Sequence, residues 1–540
     1  MKLYTFLALV VLIFAVSTTA KFNTLWPQPK SVEYPGNQFL ITPSTFKFEI
    51  AGHTSSILNN AIKRYTTLIF RSLNNPTPHS SSLDMYYQKK RVPEPTMLGL
   101  SINVKSADTS LEIGVDEWYR LNTSSGNKSS LEANTVYGAL RGLETFSQLV
   151  DSNFYLTAAI VEDEPRFKYR GFLMDPVRHY YPMNLIYQFL DSMAYAKMNV
   201  LHLHLSDDQS WPYESITFPE MSKQGAFSQR HVYTQDDIQN LQRYAKDRGI
   251  VVVPEFDTPG HTTRGFEALE PKILTDCYKE GKYIKTGPLN PTLNATFEFL
   301  DRFYEEIQEV FWSKYAHIGG DEVLHWCWDN NPEVQAWIKL HPEIQNSKDL
   351  EQYFVRQLLT ILGKRGFSYM VWEEIFTNGA KIQPDTIIEV WKEESWQKVM
   401  TEVAKKGFKS VLSAPYYLNY ISYGADWKKY YAVEPTDFEG GPEAEPSMLG
   451  LEVCMWSEYV DATNLISRTW PRAAAVAERM WSPKTMNNIE EAQVRIHEFR
   501  CKLLKRGIGA QPIENGANMT APAPVPFCDD EWNVNYNPLW

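Results

Sequence analysis

Two adjacent carboxylates, Asp321 and Glu322, are the residues in this chain best placed to do chemistry. They close the stretch His317-Ile-Gly-Gly-Asp-Glu-Val323. Tyr315-Ala-His-Ile318 reads as a short buried strand, and the two glycines let the backbone turn tightly after it. Consecutive Cα atoms lie about 3.8 Å apart, so the two acids start almost side by side. That spacing suits neither a metal cage nor a pair of opposed glycosidase carboxylates, which need the scissile bond between them. It suits one acid that protonates a leaving group beside one carboxylate that steadies a neighbouring group of the same substrate. Two solvated acids on a polar loop are the plain alternative, so the surrounding chain has to decide.

The elements that would carry such a pair repeat from residue 166 onwards as strand, loop and helix. Strands are expected at 169–174, 200–205, 250–256, 315–318, 369–372, 386–391, 410–413 and 450–456. The clearest helices are expected at 183–197, 236–248, after Asn294, and at 350–364. Eight strands with helical connections predict a (β/α)8 TIM barrel over 166–506. Residues 21–165 mix strands (46–50, 98–104) with helices (56–70, 139–150) and predict a smaller α+β domain. Residues 80–82 and 122–130 read as exposed loops, and 507–540 as an irregular tail packed on the barrel. In such a barrel the chemistry sits at the carboxyl ends of the strands. Those ends offer Asp175 with Arg178, Asp207 with Asp208, Asp257 with His261, Asp321 with Glu322, and Trp372 with Glu373. Trp391, Tyr416 and Tyr417 with Asn419, and Trp456 with Glu458 complete the ring. Indoles stack on the apolar face of a pyranose while carboxylates and arginine take its hydroxyls, so the ring describes a sugar site. His202 and His204 point the same way from one strand, which keeps a metal-dependent barrel hydrolase as a rival. A carbohydrate-binding protein on an inactive scaffold is a second rival.

Composition narrows the partners. The chain has 540 residues, 14% of them aromatic with sixteen tryptophans, and a formal net charge of −12. That charge argues against nucleic acid and against an anionic membrane surface. Residues 1–20 read as a secretory signal peptide cut after Ala20, and no later run is long enough to span a membrane. Five cysteines in that compartment predict two local disulfides, Cys277–Cys327 and Cys501–Cys528, with Cys454 a buried free thiol. Sequons at Asn122, Asn127, Asn294 and Asn518 agree with secretion.

Several segments together resemble the family 20 glycoside hydrolases, the β-N-acetylhexosaminidases, and in particular their eukaryotic lysosomal members. They are Arg170-Gly-Phe-Leu-Met-Asp175 with Arg178-His-Tyr180, Leu201-His-Leu-His-Leu-Ser-Asp-Asp-Gln-Ser-Trp-Pro212, and Pro254-Glu-Phe-Asp-Thr-Pro-Gly-His261. His317-Ile-Gly-Gly-Asp-Glu322, Trp456-Ser-Glu-Tyr-Val-Asp461 and Trp470-Pro-Arg-Ala-Ala-Ala-Val-Ala-Glu-Arg479 complete the set. The resemblance covers nearly the whole mature chain. It implies Glu322 as general acid and then base, with the substrate's own 2-acetamido oxygen as nucleophile. Asp321 would hold the acetamido N–H and Tyr417 would donate to its oxygen. Trp372, Trp391 and Trp456 would box the acetamido methyl and the ring. Arg178 and Glu458 would grip the far hydroxyls, with Asp207 and His261 in support. No cofactor and no metal are required. The resemblance also implies a homodimer that is lysosomal or secreted, acting on terminal sugars of a glycan, glycoprotein, glycolipid or chito-oligosaccharide. In Ala414-Pro-Tyr-Tyr-Leu-Asn-Tyr420, Asn419 matches relatives that accept anionic sugars, but Tyr420 stands where those carry a cation, so neutral substrates are expected. Desolvation and the neighbouring Asp321 are expected to raise the Glu322 carboxyl.

Overall fold

In the computed structural model, residues 24–70, 95–422, 424–513 and 528 are described. The expected signal peptide, the loop at 80–82 and nearly all of the tail beyond 513 lie outside them. Among the described residues, ten strands follow residue 165. Eight of these form a closed parallel barrel: β9 (Tyr169–Met174), β10 (Val200–His204), β11 (Val251–Glu255), β14 (Tyr315–His317), β15 (Ser368–Trp372), β16 (Ile387–Val390), β17 (Lys409–Leu412) and β18 (Met448–Met455), with β18 pairing back onto β9. The remaining two, β12 (Leu274–Lys279) and β13 (Lys282–Leu289), make an antiparallel hairpin inserted after β11. Sequence periodicity does not reveal this hairpin. The Cys277–Cys327 disulfide ties it to the helix His325–Asn330, which follows the acidic pair.

Alternation along the strands fills the barrel in layers. The lowest is apolar: Tyr169, Val200, Val251, Val253, Met370, Ile387 and Val411. The next layer is charged, His202, Glu255, His317, Glu389 and Glu452, all fully buried. Above these lie Trp372, Tyr417 and Cys454 beneath Trp391 and Trp456. Gly171 makes room for the charged layer, since a Cβ there would sit 2.5 Å from Glu452 Oε2.

The preceding residues form β1 (Ser31–Glu33), β2 (Gln38–Leu40), β3 (Lys47–Ile50), β4 (Gly99–Val104), β5 (Tyr119–Asn122), β6 (Lys128–Ala133), β7 (Tyr155–Thr157) and β8 (Ile160–Asp163). Six make one mixed sheet in the order β1-β8-β5-β6-β4-β3, while β2 pairs with β7. The helices Ser56–Phe70 and Val136–Gln148 pack together. The second begins three residues before the expected Ala139, because the Thr135 hydroxyl accepts from Gly138 N–H and caps it. Asn346 likewise starts the helix Ser347–Lys364 three residues early. The stretch read as a loop from Asn122 to Ser130 is the turn of the β5–β6 hairpin, with Ser130 paired to Asn122 and Lys128 already paired to Gly99 of β4. Trp391, Ser413 and Trp456, read as strand residues, sit just past the ends of β16, β17 and β18. Among the described residues no helix is long and apolar enough to cross a membrane.

Candidate active site

The turn after β14 is built by conformation and by close contact. Gly319 and Gly320 have φ of 70° and 99°, and a Cβ on Gly319 would overlap the Asp257 carboxylate at 1.7 Å. Asp257 Oδ1 accepts the Gly320 N–H at 2.9 Å, so the loop after β11 holds the loop after β14. Glu322 itself is left-handed at φ 49°, as is His261 at φ 52°. A backbone held there in residues other than glycine marks a place where the surroundings impose geometry.

His261 stands between the acids. Its Nδ1 lies 3.1 Å from Asp207 Oδ1, and its Nε2 lies 3.6 Å from Glu322 Oε2 and 3.7 Å from Asp321 Oδ2. Asp207 Oδ2 meets Arg178 Nη2 at 2.5 Å and His204 Nε2 at 3.0 Å. Asp175 fixes Arg178 from the other side, accepting its Nη1–H at 3.1 Å, and also accepts the Ser457 N–H at 3.0 Å. The Arg178 guanidinium lies 4.9 Å from the Trp456 ring centre, and exposed Glu458 adds negative charge near it. Asp208 accepts from the Thr263 N–H and hydroxyl, linking two mouth loops.

The aromatic wall is equally constrained. Trp372 lies 6.1 Å from Trp456 between ring centres, and Trp391 lies 6.2 Å from Tyr417. Trp391 donates its indole N–H to Glu374 at 2.8 Å and its backbone N–H to Glu373 at 3.0 Å. Tyr420, 52% exposed, lies 5.6 Å from Tyr417 at the rim. Asn419 is beside it, and its carbonyl accepts from Arg468. Among the described residues, four buried polar atoms at this mouth have no hydrogen-bond partner: Arg178 Nε, His261 Nε2, Asp321 Oδ1 and Asn419 Oδ1.

The proton affinities differ from the sequence expectation. Glu322 is not raised. Its side chain is 61% exposed, and the facing His261 holds its carboxyl below the ordinary range, more strongly than partial burial opposes. Asp321 is the raised member, pushed up by burial to about 6. Burial and the Asp321 charge push Asp257 well above the usual carboxyl range. Burial works against a charge on His261, but Asp207 and Glu322 keep it protonated well above an ordinary imidazole.

Sequence reasoning missed the supports of this site: Glu255, His317, Glu389 and Glu452 in the barrel, and Glu374 behind Trp391. A charged residue at an inward position of an otherwise apolar strand, as in Val251-Val-Val-Pro-Glu255, was the available signal. His202 and His204, weighed as metal ligands, face carboxylates. His202 lies 2.7 Å from Glu452 and 3.0 Å from Glu255, and His204 lies between Glu255 and Asp207. Both disulfides, Cys277–Cys327 and Cys501–Cys528, are formed, and Cys454 is a buried free thiol. Asn127 and Asn294 are exposed, Asn122 uses its side chain to cap Ser124, and Asn518 lies outside the described residues.

Paired acids, one arginine and facing indoles at the carboxyl ends of a (β/α)8 barrel define a sugar-cleaving enzyme. Residues 167–484 match the glycosyl hydrolase family 20 catalytic domain, and residues 25–149 match the beta-acetyl hexosaminidase-like domain. The chain belongs to glycosyl hydrolase family 20, whose members are retaining and substrate-assisted. It is 44% identical to the Bos taurus beta-hexosaminidase subunit alpha over 537 residues, covering 96% of this chain and 98% of that one. It is 42% identical to the Homo sapiens beta-hexosaminidase subunit beta, covering 93% and 91%. A chitobiase structure from Flavobacterium johnsoniae superposes with a TM-score of 0.77 at 30% identity, covering 90% of this chain and 73% of that one.

Proposed function

We propose that the chain is an exo-acting β-N-acetylhexosaminidase that removes terminal N-acetylglucosamine and N-acetylgalactosamine with retention of configuration. The observation that carries this is the edge formed by Asp321, His261 and Glu322. One imidazole nitrogen lies within 3.7 Å of both acids, and Trp372, Trp391 and Trp456 cluster with Tyr417. Glu322 protonates the glycosidic oxygen and later deprotonates water. The substrate's acetamido oxygen attacks the anomeric carbon, and an oxazoline-type intermediate results. Asp321 accepts the acetamido N–H and stabilises its growing positive charge, while Tyr417 donates to the oxygen. Trp372, Trp391 and Trp456 enclose the acetamido methyl and the ring. Arg178 and Glu458 take the far hydroxyls, with Asp207, His261 and Asn419 completing the pocket. Tyr420 brings no cation to the rim, which favours neutral sugars over sulfated or sialylated ones.

The same reading assigns residues 1–20 as a signal peptide, 21–165 as the non-catalytic domain, 166–506 as the catalytic barrel and 507–540 as a packed tail. It places the enzyme in the lysosome or outside the cell, glycosylated and homodimeric, acting on glycans, glycoproteins, glycolipids or chito-oligosaccharides. The test is a matched pair of aryl β-glycosides. The 2-acetamido sugar is expected to be cleaved, and the 2-hydroxyl sugar to be inert even at saturation, because its nucleophile is missing. A 2-fluoro sugar that leaves a covalent adduct on any Asp or Glu would replace this mechanism with a protein nucleophile.

A further inference from the structure

Glu255, the last residue of β11, is fully buried and divides its two oxygens between the two halves of the site. Oε1 accepts the Trp372 indole N–H at 2.9 Å and lies 3.1 Å from His317 Nδ1. Oε2 lies 2.6 Å from His204 Nδ1 and 3.0 Å from His202 Nε2. The other nitrogen of His204 lies 3.0 Å from Asp207, which reaches Glu322 through His261. A fully buried imidazole with a carboxylate oxygen at each nitrogen donates from both, so His204 is an imidazolium strut between Glu255 and Asp207.

We infer that Glu255 is a positioning residue that holds the acetamido wall, through Trp372, and the proton chain of the general acid, through His204, in one frame. The inference rests on the acetamido-assisted reading. Ring closure by the acetamido group and proton donation to the leaving group belong to one transition state, so the groups serving them need a fixed mutual position. A misplacement of about 1 Å costs on the order of 10²-fold in rate.

The charges around Glu255 are consistent with this frame. His202 and His204 face it from β10, His317 from β14, Glu389 from β16 and Glu452 from β18, with Asp257 and Asp321 above. Burial opposes ionisation of Glu255, but His204, His317 and His202 hold its carboxyl well below the usual range. Burial and Glu452 push Glu389 well above it. His204 is held up to about 9 by Glu255 and Asp207 against burial. The frame is therefore one anion that accepts from the Trp372 indole at one oxygen and from His204 at the other, which is worth more than its pairwise parts.

The experiment uses the full-length enzyme and three variants, Glu255→Gln, Trp372→Phe and His204→Asn, with thermal unfolding as a fold control. Two quantities are measured: the dependence of kcat/KM on leaving-group basicity across aryl N-acetylglucosaminides, and inhibition by a thiazoline analogue of the cyclic intermediate. Trp372→Phe is expected mainly to weaken thiazoline binding, and His204→Asn mainly to steepen the leaving-group dependence. Glu255→Gln is expected to do both, losing about tenfold or more in each. A folded Glu255→Gln protein that changes neither quantity, or only one, overturns the inference. Should Glu255→Gln fail to fold, the Trp372→Phe/His204→Asn double mutant decides. A combined loss that departs from the product of the single losses by about threefold or more supports coupling through the shared carboxylate, and anything nearer multiplicative overturns it. Failure of the acetamido reading shows in the native enzyme, as no thiazoline inhibition, and is thus distinguishable.

Discussion

Glu322 is poised as an acid only once something covers it. Its side chain is 61% exposed and His261 depresses its proton affinity. A leaving group seated against it removes water, and desolvation raises a carboxyl. The alkaline limb of kcat/KM reports the free enzyme and that of kcat reports the complex. The kcat limb is therefore expected at higher pH than the kcat/KM limb, which a pair of pH profiles checks; coincident limbs would mean that binding does not desolvate the acid. In the proposed mechanism Asp321, at about 6, has to be ionised to receive the acetamido N–H. Because Glu322, held lower, must keep its proton while Asp321 gives its proton up, the alkaline limb of kcat/KM is expected near that value and the acid limb below the ordinary carboxyl range. Glu322→Gln is expected to lower kcat on natural disaccharides by about 10²–10⁴-fold, and less on aryl glycosides whose leaving groups need little protonation. Near-normal turnover of unactivated disaccharides would remove Glu322 from the acid role.

The strands decide which residues meet, and their pattern was largely readable. The run Ile250-Val-Val-Val253 is apolar on both faces, and Val200-Leu-His-Leu-His204 is buried throughout with its histidines turned into the barrel, as a strand between core and helices requires. All eight barrel strands therefore fall where expected, with ends moved by one or two residues. The mouth residues were legible because they follow those strands directly. The charged middle layer was not, because single sequence positions do not show that Glu255, Glu389 and Glu452 converge from three distant strands on His202 and His317. The Glu322 environment was misjudged for a related reason: His261 comes from the loop after β11, and its contact with Glu322 exists only in the fold. The Gly319 turn is where element and site meet. Gly319→Ala puts a Cβ into the Asp257 carboxylate and forces an unfavourable φ of 70° on an alanine. Such a change is expected to displace Asp321 and Glu322 together, reducing kcat/KM by about 10²-fold or more. Full activity in Gly319→Ala would show that the loop has room to relax.

At the scale of the whole molecule, the amino-terminal sheet is joined to the barrel through buried charge at the end opposite the site. Glu117 accepts from Arg141 Nε at 2.7 Å and from Arg170 Nη2 at 2.6 Å, and all three are buried. Arg170 is the second residue of β9, and Arg141 reaches on to the carbonyls of Arg248 and Gly249 in the barrel. Lys197 pairs with Asp163 at 2.9 Å, and the Trp481 indole donates to the same Asp163. Contacts at the amino-terminal end of barrel strands serve stability, since the chemistry lies at the other end. Burial opposes the charge on Glu117, yet Arg170 and Arg141 hold its carboxyl below the ordinary range. Its contribution is therefore present above the unfolded-chain carboxyl pKa of about 4.3 and is lost as pH falls through the lower folded value. Glu117→Gln leaves two buried guanidinium groups without their anion, and breaking a buried pair in this way costs about 3–5 kcal/mol. Denaturant unfolding at neutral pH is expected to show a loss of that order in Glu117→Gln. kcat/KM at low temperature is expected to stay close to native, because nothing at the barrel mouth has moved. The stability difference between native and variant is further expected to shrink as the pH drops into the range where Glu117 takes up its proton. A constant difference across that range would mean that the two arginines, and not the Glu117 charge, hold the sheet to the barrel.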